Sequence, residues 1–181
     1  PDLIVVQGLC DVCAVVPQDL SGKLAGSARI LEVGPSCVEE ILSDIIRLGD
    51  AIGRASEASE LVANIRERIG RIRERTASLE RRRVFLMEWV SPPFCSGHWV
   101  PELVEIAGGR DLGEKGRHSR RVTSAEIISH NPEIVIAAPC GFNLERASMD
   151  TLHLWDMEWA SSVNGMVDGK LYAVDAGRYF S

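Results

Sequence analysis

SEASELVANIRERIGRIRERTASLE, residues 56–80, decides the architecture. These 25 residues contain no proline and a single glycine, Gly70. Ser56 places a side-chain oxygen where the first turn of a helix has unpaired amides to cap. Leu61, Ile65, Ile69 and Ile72 recur at intervals of three and four and fall on one stripe, with arginines and glutamates on the other faces. At about 1.5 Å per residue, a helix over 56–80 is a rod of roughly 37 Å. Its apolar stripe is too narrow for a helix buried on all sides, so the segment reads as a rigid strut between two folded parts. The cations from Arg66 to Arg83 are interleaved with glutamates and read as a solvated face.

Both flanks alternate strands with helices. Before the strut, the β-branched run Leu3 to Val6 reads as a buried parallel strand, and Gly8 to Cys13 as the loop after it. Pro17 to Ala25 is weakly helical and closed by Gly26. Ala28 to Val33 is a second strand, ended by Gly34-Pro35. Ser36 and Glu39 have the spacing of a capping box. The helix after them, 38–48, buries Val38, Ile41, Leu42, Ile45 and Leu48.

After the strut, Val84 to Val90 is a strand leading into a loop, Ser91 to Trp99, and Pro101 lies near the start of a helix ending at Gly108-Gly109. Ser124 caps a helix to His130, which Asn131-Pro132 stops. Ile134 to Ala138 is a strand, Pro139 to Arg146 a loop, and Ser148 to Ala160 a helix carrying Trp155 and Trp159 as packing residues. Lys170 to Val174 is the last strand, with Asp175 to Ser181 a loop. This pattern predicts an α/β fold: two Rossmann-like lobes with parallel sheets, joined by one long backbone helix. The expected divisions are a partial first lobe over 1–55, the linking helix over 56–80 and a second lobe over 81–181. Two strands make a poor covered sheet, so a further N-terminal piece is expected to complete the first lobe.

Composition removes several function classes. Of the 181 residues 45% are apolar, spread along the chain, which predicts a packed core. A net charge of −6 does not suit a phosphate-binding surface, so no nucleic-acid partner is expected. No apolar run reaches the roughly 18 residues of a membrane span. P-loop, nucleophile-elbow and dinucleotide fingerprints are absent from the sequence, and no enzymatic activity is expected. Five cysteines, Cys10, Cys13, Cys37, Cys95 and Cys140, do not make a disulfide framework.

Ligands of open α/β sheets bind beyond the carboxyl ends of the strands. Four predicted loops occupy that position: Gln7 to Cys13, Glu88 to Trp99, Pro139 to Glu145 and Asp175 to Phe180. They gather Trp89, Phe94, Trp99, Phe142, Tyr179 and Phe180 in a chain that is only 6% aromatic. Aromatic walls with few polar groups suit a large, flat, partly apolar ligand.

Three stretches carry a family resemblance: Pro1 to Val15 (PDLIVVQGLCDVCAV), Glu88 to Glu102 (EWVSPPFCSGHWVPE) and Ala138 to Phe142 (APCGF). The chain resembles the cobalamin-binding branch of the ABC-transporter periplasmic binding proteins, the class with a helical backbone. The resemblance implies a monomeric substrate-binding protein that captures a corrinoid such as cobalamin between two lobes and delivers it to an ABC permease. It implies a ligand site drawn from Gln7, Cys10, Glu88, Trp89, His98, Trp99, Phe142 and Tyr179. It further implies an acidic docking residue on each lobe, for which Asp11 and Glu145 are the candidates. A first strand and helices before Pro1 and a closing helix after Ser181 are also expected.

Other readings stay open beside it. The ligand class extends to haem and ferric siderophores, with His98 a candidate axial ligand of the metal. Cys10-x-x-Cys13 supplies two of the four ligands of a structural zinc site, and Cys140, Cys95 and His98 are the candidates to complete one. An intracellular metal or redox protein using Cys10, Cys13 and Cys140 is the rival from another class. The resemblance implies the periplasm or cell envelope, while the cysteines suit the cytoplasm. His118, His130 and His153 read as surface positions.

Overall fold

In the computed structural model of the chain, residues 1–8 and 28–180 are described. Cys10, Asp11, Cys13 and the helical stretch expected over Pro17 to Ala25 lie outside them. The chain divides into two compact units, Pro1–Gly70 and Arg71–Ser181.

In the first unit the β-branched run forms β1, Leu3–Gln7, paired in parallel with β2, Arg29–Val33, from Leu3 opposite Arg29 to Gln7 opposite Val33. The helix α1, Val38–Ala51, follows and buries Val38 and Leu42. Its cap differs from the expected Ser36–Glu39 box. Cys37, in extended conformation, takes the N-cap position and offers no side-chain bond. The third helical residue is therefore Glu40, and its carboxylate reaches back to accept from the Ser36 amide at 2.6 Å and hydroxyl at 2.7 Å. Those bonds lower the Glu40 pKa. Glu39 instead meets Arg66.

The long helix is continuous. It is α2, Ala55–Thr76, 22 residues or roughly 33 Å. It begins one residue before Ser56, which is thus not its cap, and ends four residues before Glu80. Its inner stripe also shifts: Ala58 and Val62 are buried, Ile65, Ile69 and Ile72 half-buried, and Leu61 is 50% exposed. Gly49 of α1 permits the close approach of the two helices, since a Cβ there would stand 2.3 Å from the Ala58 Cβ.

The second unit is built on β3, Arg82–Trp89. β6, Ile134–Ala137, lies parallel to it, and β7, Leu171–Ala173, parallel to β6. Val84 to Met87 are all buried, as a strand covered on both faces requires. Phe85 and Met87 face one core with Ile127, Val135, Leu154, Trp159 and Met166. Val84 and Leu86 face the other with Val100, Val104, Ala138 and Ala176. The covering helices are α3, Val100–Ile106; α4, Ser124–His130; α5, Leu144–Thr151; α6, Asn164–Val167; and α7, Ala176–Tyr179.

Several local expectations give way here. The other edge of β3 is shared by two short strands, β4, Phe94–Cys95, antiparallel, and β5, Gly109–Asp111, parallel. The expected helix from Ser148 to Ala160 is instead α5 followed by 3-10 turns at Leu152–Asp156 and Ala160–Ser162. Trp155 is consequently 53% exposed while Trp159 is buried edge-on against Phe85. The cap of α4 is Thr123, not Ser124, in a full capping box with Glu126. The Thr123 amide, with Arg120 and the Thr123 hydroxyl, holds the Glu126 carboxyl down to about 2. Part of the expected loop after Val174 is helical, as α7.

Candidate functional site: the carboxyl edge of the second sheet

β3, β6 and β7 point the same way, so the segments leaving them converge at one edge of the sheet. Backbone bonds stitch them together: Cys140 N to Glu88 O at 3.0 Å, Val174 N to Ala137 O at 2.9 Å, and Ala176 N to Phe142 O at 3.2 Å. On this frame Trp89 packs edge-on against Phe142, ring centroids 5.4 Å apart. The Trp89 indole N–H donates to Ser91 O at 3.1 Å, which fixes its ring. Phe142 is buried and carries the Arg146 guanidinium over its ring at 3.6 Å from the centroid. Trp89 itself is 40% exposed, and so presents a large apolar surface at this edge. Sequence reasoning passed over Arg146; the four-residue spacing from Phe142 across a helix start was the available signal.

The loop after β4 is fastened to a distant segment. His98 N donates to Arg117 O at 2.6 Å, and His98 O accepts from Gly116 N at 2.9 Å. His98 sits in the left-handed region with φ 53°. Gly97 is pressed so closely on this segment that a Cβ would meet Ser119 N at 2.2 Å and His118 C at 2.7 Å. The His98 ring therefore has two neighbours, Trp99 at 6.0 Å and His118 at 4.9 Å between centroids. Burial lowers the His98 pKa, and the His118 charge adds to that. His118 is on the surface as expected, but its place beside His98 depends on a contact across 20 residues that local pattern does not reveal. His130 is half-buried rather than on the surface, with Nε2 2.9 Å from Val84 O.

Two carboxylates brace the same loop. Glu88 accepts from Gly97 N at 2.8 Å and from the Ser119 side chain. Asp111, missed in the sequence, accepts from Leu86 N at 3.0 Å and from the Ser96 hydroxyl. Burial pushes both carboxyls up, against the pull of those bonds. A raised folded-state pKa means the folded protein holds the proton more tightly. The resulting stability is present below the unfolded carboxylate value, about 4.3 for Glu, and is lost as pH rises through the raised value. Glu88→Gln keeps an acceptor for Gly97 and removes the ionisation. The variant should therefore melt higher than wild type at pH 8, with the difference vanishing near pH 4. A variant less stable at pH 8 than at pH 4, relative to wild type, would reverse this account.

The remaining candidates are less gathered. Tyr179 is 60% exposed on α7, with Arg178 over its ring at 5.7 Å. Gln7 is exposed at the end of β1 in the first unit. Cys140 is exposed. Among the described residues no group of three or more His, Cys, Asp or Glu side chains could hold a metal ion. Glu145 is exposed in the first turn of α5, which the Asn143 side chain caps. It lines a depression of about 350 Å³ with Gly141, Asn143, Arg146 and Met149. A second hollow, about 460 Å³ and lined by Leu79, Val84, Val104 and Ile134 among others, lies at the amino ends of β3 and β6, away from this edge.

The chain belongs to the periplasmic binding protein family, whose model matches residues 1–173. No curated protein matches it. Among solved structures it is similar to an ABC transporter substrate-binding protein from Listeria monocytogenes EGD-e, with a TM-score of 0.79 and 17% identity over 98% of this chain and 68% of that one. It is also similar to the periplasmic vitamin B12 binding protein of Vibrio cholerae, with a TM-score of 0.71 and 19% identity over 97% and 66%. A third is the periplasmic heme-binding protein of Roseiflexus sp. RS-1, with a TM-score of 0.78 and 15% identity over 97% and 67%. The chain thus spans about two-thirds of the length of these structures. At such identities the likeness is one of fold.

Proposed function

We propose that the chain is the substrate-binding component of an ABC importer in the periplasm or cell envelope, acting as a monomer without enzymatic activity. Its ligand is a corrinoid such as cobalamin, held between two lobes, 1–55 and 81–181, that the helix over 56–80 joins. The observation that carries this reading is the Trp89–Phe142–Arg146 stack at the carboxyl edge. A fixed, half-exposed indole backed by a buried ring gives a flat apolar platform, and the edge where it stands is where open α/β sheets take ligands. Trp99 and His98, whose rings neighbour each other on the loop that Glu88 bonds at Gly97, are proposed to extend the platform. Tyr179, Gln7 and Cys10 complete the proposed site. A solved relative that binds vitamin B12 supports the corrinoid reading, and one that binds heme supports a haem alternative.

The test is a titration of the full-length protein with cobalamin and then haemin, followed by tryptophan fluorescence and by the ligand's visible spectrum. Quenching with a one-to-one endpoint is expected for cobalamin. Saturation by haemin alone would replace corrinoid with haem, and no response to either would reject the metal-chelate reading.

Glu145, with Asp11 as its counterpart, is the proposed contact to the permease, where exposed charge raises the encounter rate. In Glu145→Ala, ligand affinity should persist while stimulation of the transporter's ATP hydrolysis falls. Full stimulation at physiological salt would leave Glu145 only its favourable place at the positive end of α5.

A further inference from the structure

We propose that His98 and His118 form a two-imidazole site for a divalent transition-metal ion of the Ni²⁺ kind, with water filling the remaining positions. An imidazole nitrogen binds such an ion at about 2.0–2.1 Å, which puts the ring centroid roughly 3.2 Å from the metal. Two rings with centroids 4.9 Å apart then subtend roughly 100° at a shared ion. That angle lies between the octahedral and tetrahedral values, so two imidazoles at this separation, with 86° between their planes, can serve as adjacent ligands of a single metal when a nitrogen of each is turned to it.

The two backbones are held together before any ion arrives. The bonds from His98 N to Arg117 O and from Gly116 N to His98 O pin the two backbones together. Gly97 presses on the same segment, and Glu88 ties Gly97 to Ser119. Neither imidazole takes a hydrogen bond among the described residues, so the ring nitrogens are available. His118 is exposed and its ring can turn to meet the ion. The site has two protein ligands, in keeping with the lack of any three-residue cluster.

The same angle separates this site from a chelate site. The two axial positions of a planar macrocycle lie on opposite faces, so a cobalt or iron macrocycle can take one of these imidazoles at most. An ion with adjacent exchangeable positions can take both. The inference does not depend on which chelate, if any, binds at the aromatic edge.

Isothermal titration with Ni²⁺ at pH 7.5 tests it, using the full chain with Cys10, Cys13 and Cys140 replaced by serine so that thiolates do not compete. One Ni²⁺ per chain is expected. His118→Ala and His98→Asn should each weaken binding at least about tenfold, because losing either imidazole removes an intramolecular second ligand. Asparagine tolerates the left-handed backbone at position 98, and unchanged melting temperatures would show both variants folded. Absence of stoichiometric binding in the serine background, or an unchanged Kd in folded His118→Ala, overturns the proposal.

Discussion

Replacing Gly97 with alanine is expected to cost about 3 kcal/mol of folding stability, the upper end of overpacking penalties, and to abolish ligand binding with it. The added Cβ has no flexible side chain to displace. It meets Ser119 N at 2.2 Å, His118 C at 2.7 Å and Arg117 O at 2.8 Å, all of them backbone. Relief requires the 116–119 segment to move away from the loop, which breaks the His98–Arg117 and Gly116–His98 bonds and the seat of Glu88. Urea denaturation measures the first effect and cobalamin titration the second. A loss below about 0.5 kcal/mol would mean that the segment yields freely and that this loop is not the rigid element described above.

On the function proposed above, Trp89→Ala should weaken cobalamin binding ten- to a hundredfold, about 1–3 kcal/mol, as removal of a single aromatic anchor does. Its effect on the melting temperature should be small. The indole is 40% exposed, and what it contributes to the core is one edge of Phe142. Affinity and stability therefore separate in this variant, whereas they fall together in Gly97→Ala. Equal affinity in wild type, Trp89→Ala and Trp99→Ala would remove the aromatic edge from the site.

The sequence made the long elements legible because their signals are local. A 25-residue run at helical period announces a helix whatever surrounds it, and Val84 to Met87 announces a buried strand by hydrophobicity alone. The errors there are of one residue's phase, with Val62 and not Leu61 on the inner stripe. The short elements have no such signal. Gly109-Arg110-Asp111 has no apolar period, and it is a strand because Arg82 to Val84 pair with it. Phe94-Cys95 is likewise extended because Met87 and Trp89 lie opposite. The site follows the same division. Trp89, Phe142 and His98 could be chosen because aromatics and an imidazole in loops after strands are conspicuous. Asp111 and His118 owe their places to partners 25 and 20 residues away, and nothing beside them in the chain says so. Cys10 and Cys13, conspicuous in sequence, fall outside the described residues.

The outer margin of β3 has a consequence for behaviour in concentrated solution. A sheet margin with unpaired amides is a template for another molecule's strand. Here β5 covers the first half of the margin and β4 the second, and the gap between them is sealed: Leu86 N–H goes to the Asp111 carboxylate, Leu86 O takes Ser96 N, and Val84 O takes Leu112 N. Among the described residues of the second unit, β5 and β7 are then edge strands, each three residues long. Intermolecular strand addition at either edge finds a foothold of three residues, while the eight-residue β3 is covered along both margins, so aggregation by that route is resisted at the longest strand by geometry.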